Sequence, residues 1–154
     1  MACRFLRKDY DALLAKIDEL AEALKQAGQE KGLWADQSAE TWHDNFGYEQ
    51  EQQREWALSE RLQEFVDMKN DAQIVDYRPI DQVDIGATVT IQEVGTGERR
   101  MLVVGSYQVL DQQHEDEVSY AAPLAKPLLG AKVGEEREVT IGDRAATFQV
   151  VRIE

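Results

Sequence analysis

From Leu6 to Ala27, apolar residues return at alternating steps of four and three: Leu6, Tyr10, Leu13, Ile17, Leu20, Leu24 and Ala27. The same steps extended reach Lys31 and Trp34. This is a heptad seam, a narrow apolar stripe that a helix must bury against another helix. A second helical stretch runs from about Glu49 to Asn70, with Leu58, Leu62, Phe65 and Val66 on one face and Trp56 at its border. The first proline is Pro79, so nothing in the first half forces a break. Gly28 and Gly32 are weak points, each costing about 1 kcal/mol relative to Ala in a helix. Two such stretches zip together as an antiparallel hairpin. A first helix from Leu6 to Ser38 would be about 50 Å long at ~1.5 Å per residue. The tip of that rod falls within 37–48.

The period changes after Asp76. Pro79 pushes Arg78 out of helical geometry, so Tyr77-Arg78-Pro79 reads as a linker. β-type runs follow at 87–91, 101–104, 138–141 and 147–151, punctuated by Gly86, Gly95-Thr96-Gly97, Gly105, Gly134 and Gly142-Asp143. Gly95-Thr96-Gly97 reads as a hairpin turn. A short or bent helix is expected over Pro123–Leu129, with Pro123 at its first position and Gly130 as its stop. The expected class is α+β, with a coiled-coil finger over 1–76 and a small, mostly antiparallel β domain over 77–154.

Charge narrows the function classes. Seventeen Lys and Arg against 30 Asp and Glu leave a formal charge of −13, which argues against binding nucleic acid or an anionic membrane through a basic face. No apolar run approaches the roughly 20 residues that cross a bilayer. Met1–Lys8 has no apolar signal-peptide core, so a reducing cytoplasm is the expected compartment. The single cysteine, Cys3, excludes an intrachain disulfide and a multi-cysteine zinc site. No P-loop, dinucleotide fingerprint or nucleophile elbow is present, and neither His43 nor His114 has the helical i, i+4 His partner of a zinc site. A self-contained enzyme is not expected.

The acids concentrate at the tip. Asp36, Glu40, Asp44, Glu49, Glu51 and Glu55 face only Arg54 between 36 and 55. Carboxylates there could hold a hard cation such as Mg²⁺, which takes few protein ligands and keeps several waters. The competing reading is a solvated helix end. Trp34, Trp42, Phe46, Tyr48 and Trp56 crowd the same region, either packing the end of the coiled coil or, where exposed, anchoring a partner.

Several segments, in order, resemble the bacterial Gre transcript-cleavage factors. Asp71-Ala72-Gln73-Ile74-Val75-Asp76 is similar to the family's Asn-Ala-Gln-Val-Ile-Asp at the end of the coiled coil. Gly86-Ala87-Thr88-Val89-Thr90-Ile91 resembles the start of its C-terminal domain. Ala122-Pro123-Leu124-Ala125-Lys126-Pro127-Leu128-Leu129-Gly130 resembles Ser-Pro-Ile-Ala-Arg-Ala-Leu-Ile-Gly, and Val133-Gly134-Glu135 the Val-Gly-Asp that follows.

The resemblance implies a coiled-coil finger and an FKBP-like domain that docks on the rim of the RNA polymerase secondary channel. It further implies that acidic tip residues help to hold a second Mg²⁺, shared with the polymerase, so that backtracked RNA is hydrolysed by two-metal chemistry. The factor is then an accessory that stimulates the polymerase's own nuclease activity. Against the family's tip, Gly-Asp-x-x-Glu-Asn-Ala-Glu-Tyr, this chain has Glu40-Thr41-Trp42-His43-Asp44-Asn45-Phe46-Gly47-Tyr48. Asp44 takes the acidic position before Asn45, Thr41 replaces the first acid, and Glu40 stands next to it. Asp44 and Glu40 are therefore the expected catalytic and metal-holding residues. Ala122, Pro123 and Leu124, with Trp42 and Phe46 at the tip, are the expected partner contacts. The alternative role is a regulator that occupies the channel without promoting cleavage, because Thr41 removes a ligand. Prolyl isomerisation and a coiled-coil adaptor are the other classes. The first would need an aromatic-lined pocket from Tyr77, Tyr107, Tyr120 and Phe148. An intrachain hairpin satisfies the heptad seam without a second copy, so a monomer is expected.

Overall fold

Both periodic stretches are helices. In the computed structural model α1 spans Arg7–Ser38 and α2 spans Phe46–Asn70. The structure describes residues 2–38, 46–76 and 81–154, with side chains outside 30–38 and 46–48. Two compact units are present. One is Leu13–Asp71; the other joins Met1–Ala12 to Ala72–Glu154.

The first unit is the helical hairpin. Leu13, Leu20 and Ala27 lie one heptad apart and are all buried, as is Phe65 of α2. Ile17 and Leu24, at the intervening step, are half-buried, as are Leu58, Leu62 and Val66. The seam is therefore the buried stripe, as its period requires.

In the second unit, two short strands flank the helical stretch in sequence. β1 (Cys3–Leu6) pairs with β2 (Ala72–Val75) in parallel, in register from Cys3 opposite Ala72 to Leu6 opposite Val75. Parallel neighbours need a long crossover, and the intervening helices supply it. Leu6, the expected first residue of the helical seam, is instead the last residue of a strand. Its amide donates to Ser106 Oγ at 2.8 Å.

The main sheet holds β3 (Thr88–Glu93), β4 (Arg99–Gly105), β5 (Glu117–Ser119), β6 (Glu136–Ile141) and β7 (Arg144–Ile153). Their spatial order is β5-β4-β3-β7-β6, antiparallel except for the β4–β5 pair. Alternation sets the faces: Val89, Ile91, Leu102, Val104, Val139, Phe148 and Val150 turn inward against Val83, Ala125, Leu128 and Ala131. Each fully buried Val, Leu, Ile or Phe contributes about 1.5–3 kcal/mol. Helical hairpin followed by curled, mostly antiparallel sheet is the expected α+β class.

The expected helix over Pro123–Leu129 is smaller than its residues suggest. Only Lys126–Leu128 is helical, as a single 3-10 turn after a run of tight turns. Pro127 stands in its first turn without an amide to donate, and no side chain caps its start. Leu129 leaves helical geometry at ψ 133°, and Gly130, at φ 81°, donates its amide to the Val83 carbonyl at 2.7 Å.

Gly105 closes β4 opposite Ser119 of β5. A Cβ there would stand 2.7 Å from Val109 Cγ2 and 3.2 Å from both Glu117 Cγ and the Val118 carbonyl oxygen. The backbone oxygen cannot swing away as a side chain can. Gly105→Ala is expected to cost about 1–3 kcal/mol, read as a lower urea midpoint at unchanged m.

Candidate functional site

The segment that holds Ala122, Pro123 and Leu124 is built on backbone turns anchored to the sheet. Ser119 Oγ donates to the Tyr107 carbonyl at 2.7 Å and accepts the Ala121 amide at 3.1 Å. The Ala122 amide donates to the Ser119 carbonyl at 3.0 Å, and the Ala122 carbonyl accepts from Ala125 and Lys126 at 3.0 and 2.8 Å. Pro123 can donate to none of these and sits at the exposed crest, while Ala122 is half-buried. Leu124 packs against the core of the sheet, so it shapes the turn from below. Of the three residues, Pro123 presents the most open surface.

An aromatic group adjoins this turn that sequence reasoning did not single out as a contact. Tyr107 is 41% exposed and tied to the turn through Ser119. Its ring centroid lies 6.2 Å from that of Tyr120 and 6.5 Å from that of Phe5. The Arg4 guanidinium sits 4.7 Å over the Tyr120 ring and bonds Asp84 at 2.7 Å, and the Arg4 amide donates to the Tyr120 hydroxyl. Burial disfavours the charge on Arg4, but Asp84 and Tyr120 outweigh it and raise the pKa further. The one available signal is a Tyr two residues after Gly105, which punctuates the β-type run at 101–104.

A buried polar network holds the segment between Ser106 and Glu117. Asp9, fully buried in the first turn of α1, accepts the Ser106 hydroxyl at 2.6 Å and the amides of Leu110 and Asp111 at 3.0 and 2.9 Å. Lys8 Nζ reaches Asp9 at 3.1 Å, the Asp111 carbonyl at 2.6 Å and Glu117 at 2.5 Å. Glu117 also accepts the Gln113 amide at 3.1 Å. Burial alone would lower the Lys8 pKa, but hydrogen bonds and charge from Glu117 and Asp9 more than offset it and raise it.

The tip calls fall elsewhere. Glu40, Thr41, Trp42 and Asp44 lie outside the described residues, and Phe46 begins α2 with its side chain outside them. Among the described residues, no three His, Cys, Asp or Glu side chains come together to hold a metal ion. None of the described helices is long and apolar enough to cross a membrane.

Comparison with known proteins gives a consistent family. Residues 78–154 match the family described as transcription elongation factor GreA/GreB, C-terminal. Transcription elongation factor GreA of Rickettsia canadensis (strain McKiel) is 33% identical over 114 residues, covering 72% of this chain and 69% of its own length. The GreA of Novosphingobium aromaticivorans is 29% identical over 154 residues, covering 97% and 93%. The crystal structure of GreA factor homolog 1 (Gfh1) of Thermus thermophilus superposes with a TM-score of 0.45 at 23% identity, covering 100% of this chain and 99% of that one.

Proposed function

The chain belongs to the GreA/GreB family of transcription elongation factors, and from that premise we propose that it acts on RNA polymerase through the secondary channel. The second half docks on the channel rim, and the helical hairpin carries an acidic tip toward the active centre. The observation that carries this reading is the family match over the whole of 78–154, which includes the Ala122-Pro123-Leu124 turn. The protein itself is then no nuclease. It is an accessory factor that works in the cytoplasm, where the polymerase is.

The donor chemistry at the tip suits Mg²⁺, since Asp44 and Glu40 offer hard carboxylate oxygens and Thr41 does not. Those two residues would hold the ion. Together with the polymerase's own Mg²⁺, it supplies stabilisation of the attacking and leaving oxygens in phosphodiester hydrolysis. The chain's part is to deliver and orient its carboxylates. A second reading, channel occupancy without cleavage, is favoured by Thr41 at the family's first acidic position.

Titration of core RNA polymerase tests the docking step. Wild type is expected to bind and to compete with an active Gre factor. Pro123→Ala is expected to bind about ten-fold more weakly, as for an interface anchor, with its unfolding free energy lowered by only about 0.4–1 kcal/mol, because Pro123 is exposed and its loss acts through the unfolded chain's entropy. Failure of the wild type to bind core polymerase would favour an adaptor role instead.

A further inference from the structure

Trp56, on α2, is 64% exposed, although tryptophan is among the side chains most buried on average. The apolar stripe of α2 does not need it, because Leu58, Leu62, Phe65 and Val66 already supply that face. Helical spacing surrounds Trp56 with Gln52, Gln53, Ser59 and Glu60, and Gln63 lies one further turn along. Three of the four nearest positions are uncharged, on a helix where nine of 25 residues carry charge. An exposed aromatic within a charge-poor, hydrogen-bonding surround is the composition of an interface centre, where Trp is enriched and Asp, Glu and Lys are depleted.

We propose that Trp56 is an anchor by which α2 grips RNA polymerase, its indole seated in an apolar cleft with a basic rim. The inference rests on the polymerase reading above. Charge selects this occupant: residues 1–76 carry 17 acidic against nine basic side chains, a net of −8. A basic protein wall complements that field, whereas a second copy would bring like charge against like. The anchor lies on the shaft of the hairpin, so it adds a contact separate from the tip carboxylates and from the Pro123 turn. It makes no contribution to the chemistry.

The test titrates core RNA polymerase with full-length wild type, Trp56→Gln and Trp56→Phe. Trp56→Gln is expected to bind about ten-fold or more weakly, and Trp56→Phe to fall between. Both should keep the wild-type unfolding midpoint, since the indole is largely in solvent. Wild-type affinity in Trp56→Gln, alongside weakened Pro123→Ala, overturns the anchor and leaves the docking reading intact. A wild type that does not bind polymerase overturns both. A wild-type dimer in sedimentation that Trp56→Gln converts to monomer, without change in polymerase affinity, assigns the surface to a second copy instead.

Discussion

Asp9→Ala is expected to lower the unfolding free energy by about 2–4 kcal/mol. The carboxylate is fully buried and accepts four donors: the Ser106 hydroxyl, the Leu110 and Asp111 amides and the Lys8 ammonium. Alanine removes every acceptor at once. Each donor left buried without a partner costs about 1–3 kcal/mol, but Asp111 is exposed and its amide can turn to water, so the sum is not reached. Lys8 keeps Glu117 and the Asp111 carbonyl, which limits the loss on that side. Asp9→Asn should cost less, because an amide oxygen still accepts the two backbone N–H groups. Urea unfolding measures the loss. Hydrogen exchange localises it, with the Leu110 and Asp111 amides losing protection first. The Lys8 contribution has its own pH signature. Its folded pKa lies above the ordinary 10.5, so its stabilisation is complete below that value and disappears only as pH rises beyond it.

What sequence could and could not reveal follows from how far each partner lies along the chain. The heptad seam declares itself because its partners recur within seven residues, and Leu13, Leu20 and Ala27 are buried accordingly. β3 is legible for the same reason: Val89, Ile91 and Glu93 alternate inward with Thr88, Thr90 and Gln92. β1 is not legible. Cys3-Arg4-Phe5-Leu6 has too few residues to show a period, and its strand state is imposed by Ala72–Val75 on the far side of two helices. β5 has three residues, too few to show a period, and its strand pairing is a parallel one with β4. The Asp9 network is hidden likewise, since Lys8-Asp9 looks like any helix start until Ser106, Leu110, Asp111 and Glu117 arrive from about a hundred residues away. In the Pro123 turn the residues were legible but the local structure was not. Pro123 and Gly130 suit helix ends, yet Pro127 removes a donor from the middle and leaves a single 3-10 turn.

At the tip, Asp44→Ala is expected to reduce stimulated cleavage of backtracked RNA about 100-fold, while affinity for core polymerase stays within about two-fold; loss of one metal-holding carboxylate accounts for an effect of that order. The separation follows from the proposed division of labour, in which Asp44 serves the ion and Pro123 and Trp56 serve docking. Raised Mg²⁺ should recover part of the lost rate, because mass action compensates for a weakened site. A docking defect would not respond in that way. Glu40→Ala distinguishes how the chain manages without an acid at Thr41. A further drop of about ten-fold means that Glu40 has taken over that duty, and no change means that it has not. The reciprocal substitution, Thr41→Asp, restores the family's acid and should raise cleavage above wild type. If wild type stimulates no cleavage yet competes with an active Gre factor, while Thr41→Asp gains activity, then Thr41 is the residue that turns a cleavage factor into a channel-occupying regulator.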